Sequence, residues 1–120
     1  TQRKPRAGNV KVSKVANIRY NRFYYKPLPD EVTIGESSIE GLGLFSTQSI
    51  PEGTDLGSTH LKVPMIAGYI RTPLGGFINH SENPNCFLVL SQDWDDYMVY
   101  NLITLCDIEV NDELLLNYDV

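Results

Sequence analysis

The chain has 120 residues, 42% of them apolar, which suits one domain with a modest core and leaves little room for a second. It has no run of eighteen apolar residues and no hydrophobic N-terminal signal core, so a transmembrane helix and a secretory leader are not expected and a soluble, intracellular protein is. Its two cysteines, Cys86 and Cys106, are too few for a disulfide framework or a structural zinc site.

The formal charge of −5 hides an asymmetry. Residues 1–29 carry eight basic side chains and no acidic ones, whereas residues 30–120 hold only Lys62 and Arg71 against all fifteen acidic residues, a balance of −13. The expected organisation is a basic N-terminal arm (1–29), partly disordered, followed by a folded acidic domain (30–120). The arm either lies on the body as its counter-charge, or the body's field draws in lysine-rich protein segments. Nucleic-acid binding by the body is disfavoured; the arm alone leaves it open.

In chain order, the first nine residues read as disordered. Residues 18–28 gather Tyr20, Phe23, Tyr24 and Tyr25 and are expected to pack on the body. "LPDEVTIGES" brings a proline-marked turn and a strand around Val32 to Ile34. Short β-type runs follow, punctuated by turn residues: "GLFSTQSI", "PEGTDLG", "CFLVLS", "YMVYNLITLC" and "DELLLNY". Tyr97 to Leu105 is apolar on both alternating sets, which predicts a strand covered on both faces. Helical periodicity is nearly absent, so the fold class is mostly β with several small sheets.

Three segments have the composition of a site. "SSIEGLGLFST" places Gly41 and Gly43 where the chain can turn tightly or approach a ligand closely, yet it has neither the third glycine of a dinucleotide fingerprint nor the lysine of a phosphate loop. "GGFINHSENPNC" crowds turn formers around His80. No second histidine or cysteine stands at ligand spacing from it, so no metal site is expected. "VNDELLLNYDV" runs from an acidic turn into an apolar strand with a tyrosine at its end. Taken singly, each segment is explained by an ordinary hairpin or a terminal strand.

Their order and spacing are more specific. "GLGLF", then "FINHSENPN", then "DELLLNY" resemble the motifs G-x-G-x-F, N-H-S-x-x-P-N and G-E-E-L-x-x-D-Y of the SET-domain protein lysine methyltransferases, and "SIPEGTDLG" is similar to that family's I-x-x-G-x-x-L-G stretch. The resemblance covers roughly residues 31 to 119. It implies a SET-domain fold of the β-clip type, in which the N-H-S segment and the C-terminal strand cross in a knot-like arrangement. It also implies S-adenosylmethionine as methyl donor, met by Gly41, Leu42, Gly43 and Leu44 and by the main chain of Asn79 and His80. Tyr118 then matches the catalytic tyrosine, and a lysine-rich protein, whether histone, ribosomal or another basic target, is the implied substrate. Leu116 matches a channel position where side-chain bulk bears on how many methyl groups are added; lacking a hydroxyl, it favours more than one.

The chain also departs from the family pattern. Asn117 replaces the usual Asp before the tyrosine, and "GSTHLKV" lacks a second tyrosine, leaving His60 as the candidate for part of that channel role. The cysteine-rich segment that often follows in the family is not in the sequence, which suggests a minimal, viral- or bacterial-type member acting in the cytoplasm or in a host cell. With no such lid, the channel is expected to be covered by the arm or by a second copy in a homodimer. The competing reading is a catalytically inactive SET-like module that holds a basic protein partner.

Overall fold

The computed structural model describes residues 26–118. The disorder expected of the first nine residues and the packing expected of residues 18–25 lie outside the described residues. Within them, Leu28 packs against the core.

The punctuated β runs become eight strands: β1 (Val32–Glu36), β2 (Leu42–Ser46), β3 (Asp55–Lys62), β4 (Ile70–Arg71), β5 (Asn79–His80), β6 (Cys86–Trp94), β7 (Tyr97–Thr104) and β8 (Glu113–Leu116). One four-residue helix, α1 (Pro73–Gly76), interrupts them. Thr72 caps it by accepting from the Gly75 N–H, and Pro73 opens it where a missing N–H costs nothing. The strands follow the order β1-β2-β8-β6-β7-β3-β4, with β5 paired to β8 off this path, and the sheet curls into a half-barrel.

Local chemistry explains the turns. The β6–β7 hairpin closes through Asp95 and Asp96, both at positive φ (49° and 67°), the backbone that a two-residue turn needs to match strand twist. Asn111, at φ 71°, makes the turn into β8, a conformation its short polar side chain tolerates. The core gathers where β2 meets β8. Leu44 and Leu114 face each other there and are fully buried, with Ile50, Leu102, Ile108 and Leu116 around them. β7 departs from the expectation of two covered faces. Leu102 and Thr104 are buried, but Val99, Tyr100 and Ile103 are half-buried, because neighbouring β3 and β6 satisfy its edges without burying its outer face.

β8 is the strand on which the other segments converge. It runs antiparallel to β2 and parallel to both β5 and β6. Between β5 and β6 lies the loop that ends at Asn85, whose carboxamide acts as a short stretch of strand. Its Nδ2 donates to the Glu113 carbonyl at 2.9 Å and its Oδ1 accepts from the Leu115 N–H at 2.7 Å. Its own backbone N–H reaches the Leu115 carbonyl, and its carbonyl accepts from the Leu105 N–H. One residue therefore ties the crossing segment to β8 and to the end of β7. Truncation as Asn85→Ala strands two half-buried backbone groups and is expected to destabilise the fold by about 2–4 kcal/mol, read as a lower denaturant midpoint. Asn85→Asp, which keeps the acceptor and loses the donor, is expected to fall between the two.

Candidate active site

The glycine loop is held against the crossing by a carboxylate. Glu113, at the start of β8, accepts from Ser37 Oγ at 2.9 Å and from Asn79 Nδ2 at 2.9 Å. The same Asn79 amide also donates to the carbonyls of Glu40 (3.1 Å) and Leu42 (3.3 Å). Gly43 sits against this network, and a Cβ there would run into the Glu113 carboxylate and the Asn79 amide. Its lack of a side chain makes room for the buttress. At the loop tip Gly41 has φ 49°, with open space where a Cβ would stand.

The sequence-predicted donor-binding residues thus divide into two groups. Gly41, Leu42 and His80 are exposed and adjoin the crossing, whereas Gly43 and Leu44 are buried and build the loop from within. The backbone of Asn79 and His80 pairs with Leu115 and Leu116 of β8.

Tyr118 follows β8 and is held from several sides. Its N–H donates to His80 Nδ1 at 3.1 Å, and its hydroxyl donates to the Ile78 carbonyl at 2.8 Å. The His80 ring lies nearly parallel to it, with centroids 6.1 Å apart. The His60 ring meets it edge-on at 6.4 Å, and the Arg71 guanidinium stands 5.9 Å from its centroid. Burial pushes the Tyr118 phenol above its ordinary value, only partly offset by Arg71, so the hydroxyl stays protonated at neutral pH.

Beside Tyr118 lies a cavity of about 440 Å³ lined by His60, Tyr69, Arg71, Leu88, Tyr100 and Tyr118. Tyr69 packs edge-on against His60 (6.2 Å) and Tyr100 (5.9 Å). His60 is buried, and its Nδ1 lies 2.8 Å from Thr59 Oγ1, which itself donates to the Tyr100 carbonyl. Thr59 is then the acceptor for an Nδ1–H, and the neutral ring keeps its lone pair on Nε2. Burial first, and Arg71 second, lower the pKa of His60.

His60 is among the residues that line this cavity. Leu116 is instead buried in the core and is absent from the cavity wall. Sequence reasoning did not find Tyr69, Arg71, Leu88 or Tyr100. No local sequence signal marks them, since the pairing of β3 with β4 and β7 is what brings Arg71 and Tyr100 beside His60. A nucleophilic cysteine is disfavoured at Cys86, whose thiol is pushed up to about 12 by burial above all. Among the described residues no group of three or more His, Cys, Asp or Glu could hold a metal ion. No helix among them is long and apolar enough to cross a membrane.

Against known proteins, the sequence model of the SET domain matches residues 66–119. No curated protein matches the chain in sequence. Among solved structures, 181 chains match, so the fold is a recurrent one. One of them is the crystal structure of a Plasmodium falciparum protein provisionally named a histone methyltransferase. It has a TM-score of 0.63 and 20% identity, and the alignment covers 75% of this chain and 94% of that one. At that identity the likeness concerns the fold. The matched segment spans the N-H-S crossing and Tyr118, and with the shared fold it supports a SET-domain reading of this chain. Members of that family are generally methyltransferases.

The buried, neutral His60 has a consequence for stability. Its folded pKa lies below the unfolded value of about 6.5, so the unfolded chain takes up a proton that the fold resists. Its contribution is present above that value and is lost as pH falls below it. Thermal midpoints measured from pH 7.5 to 5 are expected to fall more steeply for the wild type than for His60→Gln.

Proposed function

We propose that the chain is an S-adenosylmethionine-dependent protein lysine N-methyltransferase acting on a basic protein. The observation that carries this reading is the placement of Tyr118. It is a protonated phenol held by His80 and Ile78 between the glycine loop's crossing and an aromatic-walled cavity.

The open tip at Gly41, exposed Leu42 and the main chain of Asn79 and His80 would hold the donor, and the space beside Gly41 fits a group that must approach backbone. When bound, the donor supplies an electrophilic methyl, so that the lysine nitrogen gains an N–C bond as the C–S bond breaks and a proton leaves to water. The chain's own task is orientation in a preorganised polar lining. Tyr69, Tyr100 and Leu88 surround the lysine stem, and Tyr118 presents a hydroxyl that positions without ionising. The amine has to be neutral. At pH 7 that costs about 4.6 kcal/mol for a lysine of ordinary pKa, and a desolvating aromatic cavity reduces the cost. The acidic body, at −13 over residues 30–120, concentrates lysine-rich segments near the entrance. Tyr69 of the cavity wall and its neighbour in sequence Ile70 are exposed, and the arm or a second copy covers them in this reading.

Tyr118→Phe is expected to lower methyl transfer by roughly 10²–10³-fold while donor binding, followed by calorimetry, stays nearly unchanged; equal activity in that variant removes Tyr118 from the role. Labelled donor incubated with the full chain and a cell lysate is expected to label lysines of basic proteins. Binding of such proteins with no label transferred would instead favour the inactive-module reading.

A further inference from the structure

One wall of the cavity carries a full positive charge. Strand pairing sets Arg71 of β4 against His60 of β3, and its guanidinium shares the cavity with Tyr118. Among the described residues no carboxylate lines that cavity and Arg71 has no ion pair. The titratable and charged groups around it are few. β3 contributes His60 and Lys62, the segment before β4 Tyr69, and β7 Tyr100, whose phenol is held above its ordinary value by desolvation, then Tyr69, then Asp93 of β6. Tyr118 completes the set among the described residues, and α1 carries no acidic or basic residue. The guanidinium acts on both side chains that flank the cavity's inner end. It helps keep His60 neutral and draws the Tyr118 phenol down against burial.

Resting on the methyltransferase reading, we propose that Arg71 is an electrostatic filter on the substrate lysine, excluding the ammonium form from the cavity so that the bound amine is the neutral nucleophile. A fixed cation does nothing for an uncharged amine and opposes a charged one. The guanidinium of this exposed side chain stands 5.9 Å from the Tyr118 ring, and for an amine held beside that ring at about 6 Å the solvent-screened bias amounts to about three- to tenfold. The kinetic signature follows from where each parameter senses ionisation. kcat reports the complex, whereas kcat/KM reports the free species. The neutral fraction of free lysine is set by the solution, so Arg71 raises kcat at neutral pH and raises KM in the same proportion. A residue that only steadied Tyr118 would change kcat and kcat/KM together.

The test compares the full-length wild type with Arg71→Met and Arg71→Lys, using labelled S-adenosylmethionine and a short lysine-rich peptide. For Arg71→Met at pH 7.5, kcat and KM are both expected to fall by about three- to tenfold, with kcat/KM nearly constant and the acid limb of kcat displaced upward by about half to one pH unit. Arg71→Lys, which keeps the charge, is expected to restore the limb. Parallel losses in kcat and kcat/KM, or an unmoved limb in Arg71→Met, overturn the filter. A second readout needs no turnover. Calorimetry of peptide binding in buffers of different ionisation heat is expected to show proton release by the wild type and less by Arg71→Met; equal release overturns the filter. Proton release by a wild type that transfers no methyl sinks the methyltransferase reading and leaves the filter standing. Transfer with Arg71→Met kinetics unchanged sinks the filter alone.

Discussion

The structure depends on how a four-residue strand is held. β8 is too short to be stable by its own ladder, and its partners come from three distant parts of the chain: β2, β5 and β6. What joins them is a side chain that imitates backbone. The Asn85 carboxamide supplies one donor and one acceptor to β8 at the point where the loop from β5 has left the sheet. Buried backbone polar groups need partners, and here a single amide serves two of them. The Glu113 carboxylate, at the first residue of the same strand, then gathers Ser37 and Asn79 and so carries the glycine loop along. Glycine loop, crossing and Tyr118 are thus parts of one hydrogen-bonded unit, centred on the core pair Leu44 and Leu114.

That unit ends in a site where Tyr118 and His60 are kept uncharged. Burial holds the Tyr118 phenol protonated and His60 deprotonated, and the Thr59 hydroxyl selects the tautomer of the latter. The same low-polarity surroundings that discourage these groups from ionising discourage an entering ammonium. The body beyond the cavity has the opposite character, with a large excess of carboxylates. Long-range attraction for cations and local preference for a neutral group coexist because they operate at different distances. The first is a field over the surface; the second is a desolvation effect within a few ångströms, to which Arg71 adds a charge of the repelling sign.

Much of this was legible in the chain before folding. Short apolar runs broken by Gly, Pro, Asn and Asp can form only small strands and tight turns, and the described residues hold eight strands and one helical turn. Three ordered motifs resembled those of the SET-domain family, and it was that resemblance, not the spacing itself, that implied a grouping of Gly41, Asn79, His80 and Tyr118. The separate functions of neighbours were not implied. By resemblance Leu44 and Leu116 match a donor-loop and a channel position, while in the fold both lie in the core, because strand alternation about β2 and β8 decides facing and a shift of one residue would reverse it. Asn79, expected to act through its backbone, also anchors the loop through its side chain.

What the sequence determined by itself was therefore the supply of parts: strand-length apolar runs, turn residues, an acidic body and the family motifs, all of which depend on near neighbours in the chain. Only the tertiary structure decided which tyrosines wall the cavity, that His60 is neutral, and that Arg71 stands beside Tyr118. Those features arise from contacts between residues such as His60 and Arg71, or Tyr69 and Tyr100, that no local pattern links. Their pairing is set by strand register, which forms only once β3, β4 and β7 have closed around one another.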